Sequence, residues 1–121
     1  MYYCIWVDDE RPMPKDLTAL KSGEPYAVWA KTTNDAVKAV RRKYNEGVRK
    51  FMLDLDNDTV DEIFNEHGGE FYNILVQLEF YIHSGKMKDV NFLVRIHTGN
   101  SVARQRMKDF IKYNSCFEEV L

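Results

Sequence analysis

The sequence predicts an α/β fold, a mainly parallel sheet of four to five strands with helices on both faces. Three observations point there. Short runs rich in β-branched and aromatic residues alternate with segments whose apolar residues recur at spacings of three and four. Polar clusters begin where the apolar runs stop: Asp8-Asp9-Glu10-Arg11-Pro12, Thr32-Thr33-Asn34, Asp54-Leu55-Asp56, and His97-Thr98 with Asn100. The chain of 121 residues, 45% hydrophobic and 13% aromatic, has the size and apolar content of one domain spanning 1–121.

Tyr2 to Val7 reads as a buried first strand, ended by two aspartates. Pro12 and Pro14 stiffen the next segment, so Asp16 to Lys21 has room for only one or two helical turns and the first crossover is shortened. Tyr26 to Ala30 is the second strand. Thr33 or Asn34 then caps a helix with Val37, Val40 and Tyr44 on one face, and Gly47 stops it. Phe51 to Leu53 is a short third strand, and the acids from Asp54 onward do not belong in a core. A helix from Gly68-Gly69 carries Phe71, Ile74, Leu75, Leu78 and Ile82 and ends at Gly85. Val90 to Ile96 is the fourth strand. Asn100 or Ser101 caps a last helix with Ala103, Met107, Phe110 and Ile111 inward, and Phe117, Val120 and Leu121 supply a stub of edge strand.

Charged residues make up 30% of the chain and the net charge is -2, a balance without the overall signature of a nucleic-acid or membrane binder. No secretory leader pattern and no apolar span of about 18 residues is recognised, which points to a cytoplasmic protein that does not engage a membrane. Cys4 and Cys116 have neither metal-ligand spacing nor a disulfide framework and are read as reduced packing residues.

In an open parallel sheet, side chains beyond the carboxyl ends of neighbouring strands share a crevice, the usual ligand site. Asp8, Asp9 and Asp54 are the hard oxygen donors that a divalent cation, magnesium above all, prefers. The run from Asp54 is not a calcium loop, because Thr59 and Asn65 stand where glycine and glutamate are required. An Asp-x-Asp after an apolar strand also opens the haloacid-dehalogenase phosphatases, but this chain is too short for that fold and its cap. His97, with a pKa ordinarily near ~6.5, suits proton transfer at neutral pH. It introduces a helix whose first amides, from Thr98 and Asn100 onward, suit a phosphate. Arg11 is the candidate phosphate clamp, with Arg104 one turn into that helix. His67 and His83 fit structural roles, the latter in a last helical turn where imidazole suits the dipole.

Ile5-Trp6-Val7-Asp8-Asp9-Glu10-Arg11-Pro12-Met13-Pro14, Trp29 with Thr32 to Ala36, Leu53-Asp54-Leu55-Asp56, Gly69 heading a helix, and His97-Thr98-Gly99-Asn100-Ser101-Val102-Ala103-Arg104 with Met107 follow one order. In that order the chain resembles the cyclic-phosphate processing receiver-like domains, a divergent branch of the two-component receivers. The resemblance implies a three-layer receiver-like (flavodoxin-like) fold. It also implies hydrolysis of a cyclic phosphate, either an RNA 2',3'-cyclic phosphate end or a cyclic nucleotide. By position, Asp8 and Asp9 correspond to the family's first acidic pair, Asp54 and Asp56 to its second, and His97 and Asn100 to its fourth-strand signature. One departure stands out: Leu55 replaces the histidine usual between the third-strand aspartates and puts an apolar side chain beside the site. That leaves His97, with Asp56 and a metal-bound water, to divide the acid-base work. The alternative is a non-catalytic module binding a nucleotide, a phosphorylated ligand or a protein partner.

Overall fold

The computed structural model describes residues 2–9, 11–14, 25–55, 72–96 and 101–120. The elements are β1 (Tyr3–Val7), β2 (Val28–Ala30), α1 (Thr33–Asn45), β3 (Lys50–Leu55), α2 (Tyr72–His83), β4 (Asn91–Ile96), α3 (Ser101–Lys112) and β5 (Phe117–Glu119). The strands form one all-parallel sheet in the order β2-β1-β3-β4-β5. This is the doubly wound order of the flavodoxin-like folds, reversing beside β1 and opening a crevice at the strands' carboxyl ends.

Strand alternation divides the side chains cleanly between the two faces. Ile5 and Val7 of β1, Phe51, Leu53 and Leu55 of β3, and Phe92, Val94 and Ile96 of β4 form one buried cluster with residues of all three helices. From the helices come Val37 and Val40, Ile74 and Leu78, and Met107 and Ile111. A register row of rings runs across this face: Tyr3 meets Phe51 edge-on, and Phe51, Phe92 and Phe117 stack at 5.4 and 5.0 Å. The opposite face holds a smaller cluster of Cys4, Tyr26 and Met52, bordered by Trp6, Met13, Leu93 and Val120.

Several boundaries differ from the sequence expectation, each for a local reason. The cap of α1 is Thr32, not Thr33 or Asn34: Thr32 is still extended and its hydroxyl accepts from Asp35 N at 3.0 Å, while Thr33 turns inward and is buried. Gly47 ends α1 with φ +104, a backbone conformation that favours glycine. β2 begins at Val28, although Ala27 N–H already donates to the Cys4 carbonyl at 2.8 Å, and Tyr26 before it donates its hydroxyl to Asp54 of β3. β3 runs on through Asp54 and Leu55, both buried, so the expectation that the acids from Asp54 onward avoid the core is corrected at Asp54. β5 is a short edge strand of Phe, Glu and Glu, without the lysine of a phospho-accepting receiver, and Val120 extends its pairing through an N–H to Val94 at 2.8 Å. Cys4 and Cys116 are both free thiols, the first buried. The turns expected at Asp16 to Lys21 and the start expected for the second helix at Gly68-Gly69 lie outside the described residues. No helix among the described residues is long and apolar enough to cross a membrane.

Candidate functional site

Register explains how the acids come together. Trp6 of β1, Asp54 of β3 and Arg95 of β4 are lateral neighbours, so all three project from the face opposite the helix-packed cluster. Asp8 follows Trp6 by two positions, just past the end of β1, where its N–H still donates to the Ala30 carbonyl at 3.1 Å.

Asp8 is completely buried and builds a tight turn. Its Oδ1 accepts from Arg11 N at 2.8 Å. Two indoles then fasten the turn from the sheet: Trp29 Nε1 donates to the Asp8 carbonyl at 2.7 Å, and Trp6 Nε1 donates to the Arg11 carbonyl at 2.9 Å. Each tryptophan carries one N–H donor and a large apolar body, so it pins a loop while covering sheet surface. The Trp6 ring meets Tyr26 edge-on at 5.2 Å, and Lys31 Nζ sits 4.3 Å above the Trp29 ring.

Asp54 is 1% exposed. A carboxyl group so placed needs polar partners in place of water. Tyr26 donates its hydroxyl to Asp54 Oδ2, and Arg95 Nη1 lies 3.7 Å from the same oxygen. The Tyr26 hydroxyl is pushed above its ordinary value, first by burial, then by the hydrogen bond to Asp54 and the Asp54 charge, while the Arg95 charge opposes the shift. The side chain of Arg95 is 33% exposed, so the ion pair links a sealed carboxylate to the surface.

Of the residues singled out from sequence, the structure brings Asp8, Asp9 and Asp54 to the carboxyl ends of β1 and β3. Arg11 is exposed in the turn after β1, its backbone holding the turn closed. Arg104 is half-buried in the first turn of α3 and makes no ion pair or hydrogen bond to those acids among the described residues. His97, Asp56, Thr98 and Asn100 lie outside the described residues. Leu55 corrects another expectation: it is fully buried in the helix-packed cluster, laterally paired with Val7 and Ile96, not beside the acids. Tyr26, Arg95, Trp6 and Trp29 hold the site and were not chosen as site residues from sequence. Their signal was present in the alternation, since an arginine inside the apolar run Phe92 to Ile96 needs an anionic neighbour.

The donor chemistry of Asp8, Asp9 and Asp54 suits magnesium. Among the described residues no group of three or more His, Cys, Asp or Glu side chains is placed to hold a metal. Asp54 Oδ2 already serves Tyr26 and Arg95, and Asp8 Oδ1 serves the Arg11 amide. Each of these bonds engages one oxygen of its carboxylate, and no chemical step is routed through a metal. What the arrangement does supply is a rigid anionic turn, an exposed arginine beside it and a sealed carboxylate behind it.

A family model described as the cyclic-phosphate processing receiver domain matches residues 3–113. No curated protein matches the chain, and no solved structure does.

Proposed function

From the premise that the chain belongs to the cyclic-phosphate processing receiver domain family, over residues 3–113, we propose that it binds and hydrolyses a cyclic phosphate ester at the carboxyl-end rim of β1, β3 and β4. The ligand class is an RNA 2',3'-cyclic phosphate end or a cyclic nucleotide. The observation that carries the reading is the Asp8–Arg11 turn, fixed by two indole N–H groups beside the buried Asp54 in a chain of this family. A turn held this firmly presents its groups without an ordering cost at binding.

Ring opening adds water to phosphorus and breaks one P–O ester bond. A proton must leave the attacking water and another must reach the departing oxygen, roles that two acid-base groups divide. His97 and Asp56 are proposed for these transfers. Arg11 is proposed to neutralise the phosphate charge, with Thr98, Asn100 and Arg104 orienting it at the start of α3. The buried state of Asp54 and its Tyr26 and Arg95 partners argue against an ordinary phospho-accepting receiver, because that chemistry needs an accessible carboxylate oxygen.

A second reading is favoured by Leu55, which stands where the family has its third-strand histidine: the site captures the phosphate ester and does not turn it over. Phosphorus NMR of 2',3'-cyclic nucleotides and of cyclic-phosphate-ended RNA, with and without magnesium, separates the two. Turnover that disappears in His97→Ala supports hydrolysis, and saturable binding without turnover supports capture. Neither binding nor turnover overturns both, and acetyl phosphate labelling of Asp54 restores the signalling receiver.

A further inference from the structure

The amino ends of the strands lie about one strand length, roughly 20 Å, from the acidic rim, and their chemistry is the reverse. Five of the ten residues 41–50 are Lys or Arg and one is acidic, in a chain of net charge -2. These cations are interleaved with tyrosines. The Arg49 guanidinium lies 3.8 Å from the Tyr44 ring centroid, Lys43 Nζ stands 5.3 Å over Tyr3, and Lys50 Nζ stands 5.8 Å over Tyr2. A cavity of about 420 Å³ opens among Tyr2, Tyr3, Gly47, Val48, Arg49 and Lys50.

Helix-dipole compensation accounts for part of this charge, since Arg42 and Lys43 occupy the last turn of α1. It does not account for Arg49 and Lys50, which lie past that helix and are exposed. Lys88, also exposed, adjoins them: its backbone N–H donates to the Tyr44 hydroxyl at 2.7 Å, beside the Arg49–Tyr44 pair. Arg49 is fixed in place by Nη1, which donates to the Tyr44 and Val48 carbonyls at 2.8 and 3.0 Å. A guanidinium has further donors, so this anchoring does not neutralise it.

We propose that this amino-end surface binds a single-stranded polynucleotide, its phosphates on Arg49, Lys50 and Lys88 and its bases against the tyrosines lining the cavity. Cations alternating with π faces are what a flexible polyanion of stacked bases requires, and cations already held over rings lose little freedom on binding. The inference stands apart from the rim chemistry, because it uses none of those residues.

Fluorescence anisotropy with a labelled oligouridylate of about twelve nucleotides, ending in a plain 3'-hydroxyl, tests it. Binding is expected at about 50 mM salt and to weaken steeply by about 200 mM. Lys50→Glu with Lys88→Glu should weaken it at least tenfold and flatten the slope of log affinity against log salt by about 1.4, or ~0.7 per lost phosphate contact. Lys50→Gln with Lys88→Gln, a milder pair at exposed positions, should fall between that variant and the parent. Tyr2→Ala should weaken binding several-fold at every salt concentration, and His97→Ala should leave it unchanged. Absence of binding at low salt, equal affinity after charge reversal, or capture of phosphatidylserine vesicles in place of the oligonucleotide would overturn the proposal.

Discussion

One sheet, built from the same three central strands, has two faces that solve different problems. On the helix-packed face the residues at 51, 53 and 55 of β3, with their partners on β1 and β4, are wholly apolar and carry the stacked ring row. One position over, 52 and 54 face the other way, and there a buried carboxylate is held by a tyrosine hydroxyl and an arginine. The first face needs only volume and shape, so it tolerates apolar exchange of similar size. The second needs specified partners, because removing any one of them leaves a charge or a donor in a dry place. Apolar packing concentrates on one side of the sheet and the buried polar cluster on the other, within single strands.

The largest expected effect breaks the apolar side. Phe92→Ala removes the middle ring of the Phe51–Phe92–Phe117 stack and should cost about 3–5 kcal/mol in urea unfolding. Its effect on ligand affinity, measured where the variant is still folded, should be slight. Were affinity to fall as far as stability, the division between faces would be lost.

Tyr26→Phe probes the polar side with almost no change of volume. Loss of a hydrogen bond to a buried carboxylate should cost about 1.5–3 kcal/mol. The alkaline dependence carries a sign. The hydroxyl is held protonated in the folded protein above its ordinary value, so its contribution is complete below about pH 10 and is lost as pH rises beyond it, where the unfolded chain ionises first. The parent should therefore approach the variant in stability above about pH 10 and keep its full advantage at neutrality. A constant difference across that range would mean that Tyr26 does not donate to Asp54.

The smallest effect sharpens the comparison at the turn. Trp29→Phe keeps an aromatic ring, smaller than the indole, and deletes the donor to the Asp8 carbonyl, a hydrogen bond of about 1 kcal/mol. Hydrogen exchange at Arg11 should quicken more than exchange at Phe51 or Phe92. Uniform quickening would show that the indole serves general packing.

Much of the fold was legible in the sequence, because apolar runs ending in acids and helical periods ending in glycine mark strands and helices directly. The edge strand at Phe117 was legible from its apolar residues alone. The site was legible only in part. Asp8, Asp9 and Asp54 declare themselves as acids after apolar runs, yet Asp54 was placed beyond its strand because an isolated carboxylate does not belong in a core. Its burial depends on Tyr26 and Arg95, which are distant in sequence and meet it only once strand register is fixed. Leu55 was misplaced because neighbours in sequence on a strand belong to opposite faces, so Leu55 joins the helix-packed cluster while Asp54 is buried on the other side.

The two indole N–H groups of Trp6 and Trp29 are bonded to the rim turn, and they give the most direct test in proton–nitrogen correlation spectra during titration with a 2',3'-cyclic nucleotide. Both signals should move saturably, at the concentrations at which the ester is bound or opened. Indole signals that stay fixed while the nucleotide binds or turns over would place the chemistry elsewhere and contradict the rim assignment.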